Sequence, residues 1–138
     1  MARPLISVVD DEAPVGKALQ RLLRCAGLNA ETFASGAAFL DSLQTHTPDC
    51  VILDLHLPQM DGFEVQDRLA QADARVPVIV ITGRDSPQAR ERALAGGAVA
   101  YLPKPVDGPA LLDAIAVATA PKGQNARPPA DQGASLAA

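Results

Sequence analysis

Tryptophan is absent from this chain, tyrosine occurs once, and phenylalanine only three times in 138 residues. An aromatic core is therefore excluded, and the interior has to be built from Val, Leu, Ile and Ala, within a hydrophobic fraction of 48%. Cysteine is scarce as well: Cys25 and Cys50 lie far apart, each in an apolar stretch. Two such thiols make no disulfide framework, and both are expected to be small buried core residues in a reducing compartment. Basic charge is not in excess, with 12 Lys and Arg against 16 Asp and Glu and a formal net charge of −4. That balance argues against nucleic acid held on a broad basic face and leaves room only for a local basic patch. No apolar run approaches a membrane span; the longest, Val76 to Ile81, is interrupted by Pro77. The opening Met1-Ala-Arg-Pro4 has neither the apolar stretch nor the cleavage site of a signal peptide, so a cytoplasmic location is expected.

What is present is an alternation. Short apolar runs (Leu5 to Val9, Ala30 to Phe33, Cys50 to Leu53, Val76 to Ile81, Val99 to Leu102) are separated by stretches of helical period. In the first helical stretch Val15, Ala18, Leu19, Leu22, Leu23 and Ala26 share one face, and Gly27 follows where a helix C-terminus favours positive φ. Ser35 and Ser86 are N-cap candidates, Pro87 suits a first helical position, and Asp107 opens a helix carrying Leu111, Leu112 and Ile115. Strands separated by single helices imply right-handed crossovers and a parallel sheet. The predicted fold is α/β: a five-stranded, doubly wound, flavodoxin-like sheet of order 2-1-3-4-5. Residues 1–120 are assigned to this one domain. From Pro121 to Ala138 the chain is rich in Pro, Ala and Gly, with Leu136 its one large apolar residue, and disorder is expected there.

Ligands of a doubly wound sheet lie outside the carboxyl ends of its strands. There the sequence delivers Asp10 and Asp11, then Asp54, Thr82 and Lys104. Crowded carboxylates repel one another unless a cation joins them, and a few hard oxygen ligands suit Mg²⁺ better than Zn²⁺. A carboxylate beside such a cation, with a lysine and a threonine at hand, can attack a phosphoryl group. Asp54, alone at the end of a central strand, is the natural nucleophile.

The motifs Val8-Val-Asp-Asp-Glu12, Val51-Ile-Leu-Asp-Leu55, Pro58-Gln-Met-Asp-Gly62, Val80-Ile-Thr-Gly83 and Gly97-Ala-Val-Ala-Tyr-Leu-Pro-Lys-Pro105 resemble the receiver domain of bacterial two-component response regulators. The resemblance runs from about Leu5 to Thr119. Thr32-Phe-Ala-Ser-Gly36 with Phe39-Leu40 is similar to the FixJ-type branch. The resemblance implies that Asp54 accepts phosphate from a sensor histidine kinase or a histidine phosphotransfer protein. It implies that Asp11, Asp54 and the backbone carbonyl of His56 ligate Mg²⁺, with Asp10 assisting through water. Thr82 and Tyr101 would form a switch pair, Lys104 would hold the phosphoryl group, and the Lys104–Pro105 bond would be cis. Output would pass through the fourth helix, fifth strand and fifth helix to a downstream protein target, without direct nucleic-acid or membrane binding. A phosphorylation-dependent dimer is left open.

Plainer readings exist for each feature. Asp10-Asp11-Glu12 could be acids at a helix N-terminus, Thr82 could cap the following loop, and Tyr101 could be an ordinary core ring. Pro58, Asp61 and Gly62 read as turn formers, His46 and the imidazole of His56 as surface groups, and Arg84, Arg90 and Arg92 as a solvated basic face. The fourth helix offers only Ala89, Ala93 and Leu94 to a core, which suits an element that shifts. The short segment after the last helix points to a stand-alone receiver. The alternatives are the receiver half of a truncated DNA-binding regulator and an unphosphorylated binding module on the same fold. A phosphatase of the haloacid-dehalogenase type is disfavoured, because His56 stands where that chemistry wants a second Asp.

Overall fold

The computed structural model describes residues 3–120, so the disorder expected for 121–138 lies outside the described residues. Strands β1 (Leu5–Val9), β2 (Asn29–Phe33), β3 (Cys50–Asp54), β4 (Val78–Thr82) and β5 (Ala100–Pro103) alternate with α1 (Ala13–Cys25), α2 (Gly36–Ser42), α3 (Gly62–Gln71), α4 (Pro87–Ala95) and α5 (Gly108–Ala118). All pairings are parallel and the order is β2-β1-β3-β4-β5, as the alternation predicts.

The three central strands are apolar on both faces because helices cover both. Val9, Val51, Leu53 and Val80 point to one side, where Phe39, Val65 and Leu69 meet them from α2 and α3. Ile6, Val8, Ile52, Ile79 and Ile81 point to the other, against Leu19 and Leu23 of α1 and Leu111 and Ile115 of α5. Each such fully buried side chain contributes roughly 1.5–3 kcal/mol. With two aliphatic layers and few rings, the core is the one the composition demands.

The helix starts are chemically marked. Ser35, Asp61, Ser86 and Asp107 each accept a hydrogen bond from the backbone N–H three residues on, at 2.9–3.1 Å. Asp61 is thus a helix cap and not only a turn former. β4 begins at Val78 because Pro77 has no N–H for the ladder, although its carbonyl accepts from Val51 at 3.0 Å. Cys50 is buried, but Cys25 is exposed, which corrects the expectation that both thiols lie in the core. The inner face of α1 is Gly16, Leu19 and Leu23, and a residue two positions beyond Leu23 falls outside it.

Candidate functional site

Four strand ends converge at one edge of the sheet. Asp10 follows β1, Asp54 ends β3, Thr82 ends β4 and Lys104 follows β5. The Lys104 Nζ lies 2.8 Å from Asp10 Oδ2, 3.2 Å from Asp54 Oδ2 and 3.2 Å from Glu12 Oε1. The other carboxylate oxygens are tied locally: Asp10 Oδ1 accepts from the Glu12 N–H at 2.9 Å, and Asp54 Oδ1 from the His56 N–H at 3.1 Å. Asp10, Asp54 and Thr82 are all buried.

Burial pushes the Asp54 carboxyl above its usual range and Asp10 adds to the effect, while the His56 N–H and Lys104 partly oppose it. Burial also works against the charge on Lys104, yet Asp10, Asp54 and Glu12 outweigh it and hold the ammonium above its ordinary range. One oxygen from each of Asp10, Glu12 and Asp54 lies within 4.8 Å of the others, so one ammonium faces three carboxylates. The buried Asp10 Oδ2, although paired in charge with Lys104, makes no hydrogen bond of good direction. An acid-rich, oxygen-only donor set whose three carboxylates share one ammonium fits a hard divalent cation.

Asp10, Asp54 and Lys104 therefore meet as their strand positions predict. Asp11 does not join them; Glu12, although exposed as Asp11 is, reaches Lys104 and supplies the third carboxylate of the group instead. Glu12 occupies the N-cap of α1, and the Asp10 side chain holds its N–H, which turns the side chain back over the strand ends. The acid triplet was visible in sequence, but which of its members reach Lys104 depends on that turn. His56 directs its N–H at Asp54 and keeps its side chain exposed. The Thr82 Oγ1 accepts from the Arg84 N–H at 3.0 Å, the loop-capping geometry. Tyr101 is buried on β5, and the Lys104–Pro105 bond is cis.

Four further residues do more than their sequence readings state. A Cβ on Gly62 would stand 2.7 Å from the Asp54 carbonyl oxygen and 2.8 Å from Leu55 Cα, so α3 begins pressed against the end of β3. Arg90 and Arg92 are not simply solvated, since their guanidinium groups cover the rings of Tyr101 and Phe63 at 5.5 and 4.0 Å. His46 does not approach the acid pocket in any contact seen; it pairs with Glu31 at 2.9 Å, and Glu31 also accepts from the Ser7 hydroxyl at 2.7 Å. That cluster ties the edge strand β2 to the segment after α2.

Comparison with known proteins agrees with this arrangement. The response regulator receiver domain family model matches residues 6–116. Nodulation protein W of Bradyrhizobium diazoefficiens is 35% identical over 117 residues, covering 85% of this chain and 52% of that protein. The DNA-binding transcriptional regulator NtrC of Klebsiella pneumoniae is 39% identical over 107 residues, 78% of this chain and 23% of the relative. This chain thus spans about half or less of the length of those curated relatives. Among solved structures, a response regulator receiver protein from Burkholderia phymatum is 47% identical with a TM-score of 0.76, over 85% of this chain and 95% of that one. FixJ-N is 31% identical with a TM-score of 0.80, over 86% and 95% respectively. With five parallel strands in receiver order and this match along nearly all the described residues, the chain belongs to the response regulator receiver domain family.

Proposed function

We propose that residues 1–120 act as a phosphoryl-accepting receiver in which Asp54 is the acceptor and a histidine kinase or histidine phosphotransfer protein is the donor. The observation that carries this is the buried Asp54 carboxylate, 3.2 Å from the Lys104 ammonium and flanked by Asp10 and Glu12. An Asp54 oxygen attacks phosphorus, the O–P bond forms as the N–P bond to the donor imidazole breaks, and the electron pair returns to that nitrogen. Lys104 follows the charge on the phosphoryl oxygens, and the Thr82 hydroxyl, freed from its loop contact, donates to one of them. Mg²⁺ would be held by Asp10 and Asp54 with the His56 carbonyl, with Glu12 near at hand and Asp11 joining only if the β1–α1 turn rearranges. When bound, the ion neutralises charge on the transferring group. The domain catalyses nothing beyond its own phosphorylation and dephosphorylation.

The same reading makes Thr82 and Tyr101 a switch pair that alters the α4–β5–α5 surface for a protein target in the cytoplasm. Among the described residues no helix is long and apolar enough to cross a membrane. The regulators it resembles also support a second reading, the receiver portion of a DNA-binding regulator, because this chain matches only part of their length. The test is intact mass after incubation with Mg²⁺ and acetyl phosphate. One phosphoryl adduct is expected on the wild type and none on a folded Asp54→Asn variant or after chelation. An adduct that persists in Asp54→Asn refutes the assignment. A folded wild type that stays unmodified, also with phosphorylated kinase, leaves a binding module on the same fold.

A further inference from the structure

Helix α1 carries a charge pattern that the site at the strand ends does not use. Between Ala13 and Cys25 it has no Asp or Glu, while Lys17, Arg21 and Arg24 stand at i, i+4 and i+7, one row along the helix. All three are exposed, and among the described residues none of them is in an ion pair. Lys104, Arg68, Arg90 and Arg92, by contrast, each lie against a carboxylate or a ring. With Gln20 and the exposed Cys25, the row lines a groove of about 450 Å³ that has no acidic residue in its wall.

The groove lies on the β2 flank of α1, where Gln20 donates to the Ala30 carbonyl at 3.1 Å. β2 offers no counter-charge there. Glu31 is turned to the other face of the sheet, where it holds Ser7 and His46, and Ala30 and Thr32, which face α1, are neutral. The row is unfavourable for the helix itself, because like charges three and four residues apart repel. Arg24 in the last turn meets the negative end of the helix dipole, but Lys17 and Arg21 lie too far from that end to gain from it. In a chain of net charge −4, this local excess of uncompensated cations is complementary to an anion from outside.

Shape decides between anions. Three exposed side chains spread over about 10 Å of helix do not converge on one point, as a small phosphate requires. Nucleic acid is disfavoured, since α1 has no aromatic ring on which a base could stack and the chain as a whole is acidic. An acidic helix matches the row directly: carboxylates at i, i+4 and i+7 form a line of the same length and spacing. The apolar stems of Lys17, Arg21 and Arg24 give such a helix a surface to pack on.

We propose that the β2 flank of α1 is a docking surface for an acidic helical segment of a protein partner, bound by Lys17, Arg21 and Arg24. It is separate from the surface beside the phosphoryl site. The groove that borders Lys104 is lined by Pro14, Val15, Ala18 and Val106, on another side of α1. α1 also runs away from the strand ends that carry Asp10 and Asp54, so Arg24 and Cys25 lie at its far end. A partner held there leaves the phosphoryl site open, and the proposal does not depend on Asp54 being the acceptor.

Cys25 reports on the groove, because it is exposed within it and Cys50 is buried. The full chain is labelled with dithiodipyridine, a neutral disulfide reagent, in low-salt buffer without phosphodonor. The probe is an alanine-rich helical peptide with glutamates at i, i+4 and i+7 on one face. It should slow labelling of Cys25 at least twofold at sub-millimolar concentration, and about 0.2 M salt should remove most of the protection. The same peptide with glutamine should not protect, and an isomer with its glutamates spread around the helix should need at least fivefold more. Arg21→Gln should raise the peptide concentration needed at least threefold, and the triple variant Lys17→Gln, Arg21→Gln, Arg24→Gln at least tenfold. Both variants should keep or raise the thermal midpoint, since like charges are removed. No protection of the wild type, equal protection by either control peptide, or protection retained in the folded triple variant overturns the proposal. Stronger protection by a single-stranded oligonucleotide of the same charge overturns the protein partner. Phosphoryl uptake, read by mass, should be unchanged in the triple variant; a loss confined to that variant overturns the separation of the two surfaces, whereas a wild type without uptake counts only against the phosphoacceptor reading.

Discussion

Gly62→Ala and Gly16→Ala should change stability in opposite directions, although both add one methyl group at a helical glycine. A methyl on Gly62 meets the Asp54 carbonyl oxygen at 2.7 Å, Leu55 Cα at 2.8 Å and Leu55 Cδ2 at 3.1 Å. Two of these neighbours are backbone, and the Gly62 N–H already donates to the Leu55 carbonyl at 2.9 Å, so neither partner moves without losing a bond. Forcing a methyl into packing of this kind costs about 1–3 kcal/mol. Gly16 lies inside α1, where the nearest atom to an added Cβ is Thr32 Cγ2 at 3.9 Å, an ordinary contact. There the gain in helix propensity is roughly 0.5–1 kcal/mol. With a urea slope of about 1–3 kcal/mol/M, the midpoint should fall by about 0.5–2 M for Gly62→Ala and rise by a few tenths of a molar unit for Gly16→Ala. Because the displaced atoms include the main chain of Asp54, Gly62→Ala should also take up less phosphoryl group from acetyl phosphate. Gly83→Ala is the control, its nearest contact being Lys104 Cδ at 3.9 Å. A Gly62→Ala protein as stable as the wild type would refute the claim that α3 abuts the end of β3.

The thiols should separate cleanly in a thiol-reactive dye assay: Cys25 reacts at once in the native protein, and Cys50 only after unfolding, since burial pushes its thiol from 9.0 up to about 12. A group whose folded value is raised contributes stability below its unfolded value and loses it as pH rises, here from about pH 9 toward 12. The slope from Cys50 is about 1.4 kcal/mol per pH unit over that range, and Cys50→Ala should flatten it in urea titrations at pH 8.5–10.5. Lys104→Met leaves Asp10, Asp54 and Glu12 facing one another without their common cation. A loss of about 3 kcal/mol is expected at neutral pH in metal-free buffer, and Asp54→Asn added to it should restore part. Equal stability of Lys104→Met and wild type in thermal unfolding would show that the ammonium is not what balances the cluster.

Much of this protein was legible in local pattern. The apolar runs and helical stretches carry their own periods, and Ser35, Ser86 and Asp107 mark helix starts through bonds that span only three residues, with Pro87 at the first position of α4. Strand alternation with single helices implies the parallel order, and that order alone brings Asp10, Asp54, Thr82 and Lys104 to one edge. What tertiary structure decided are the relations between segments distant in sequence, or finer than an element's length. Glu12 rather than Asp11 joins the carboxylates because of one turn after β1. Gly62 is needed for its lack of a Cβ against the β3 backbone, which no turn propensity reveals. Arg90 and Arg92 look like a solvated charge run until Tyr101 of β5 and Phe63 of α3 arrive beneath them. A cation's neighbour is set by the pairing register and the helix packing angle, and neither is written in the residues beside it.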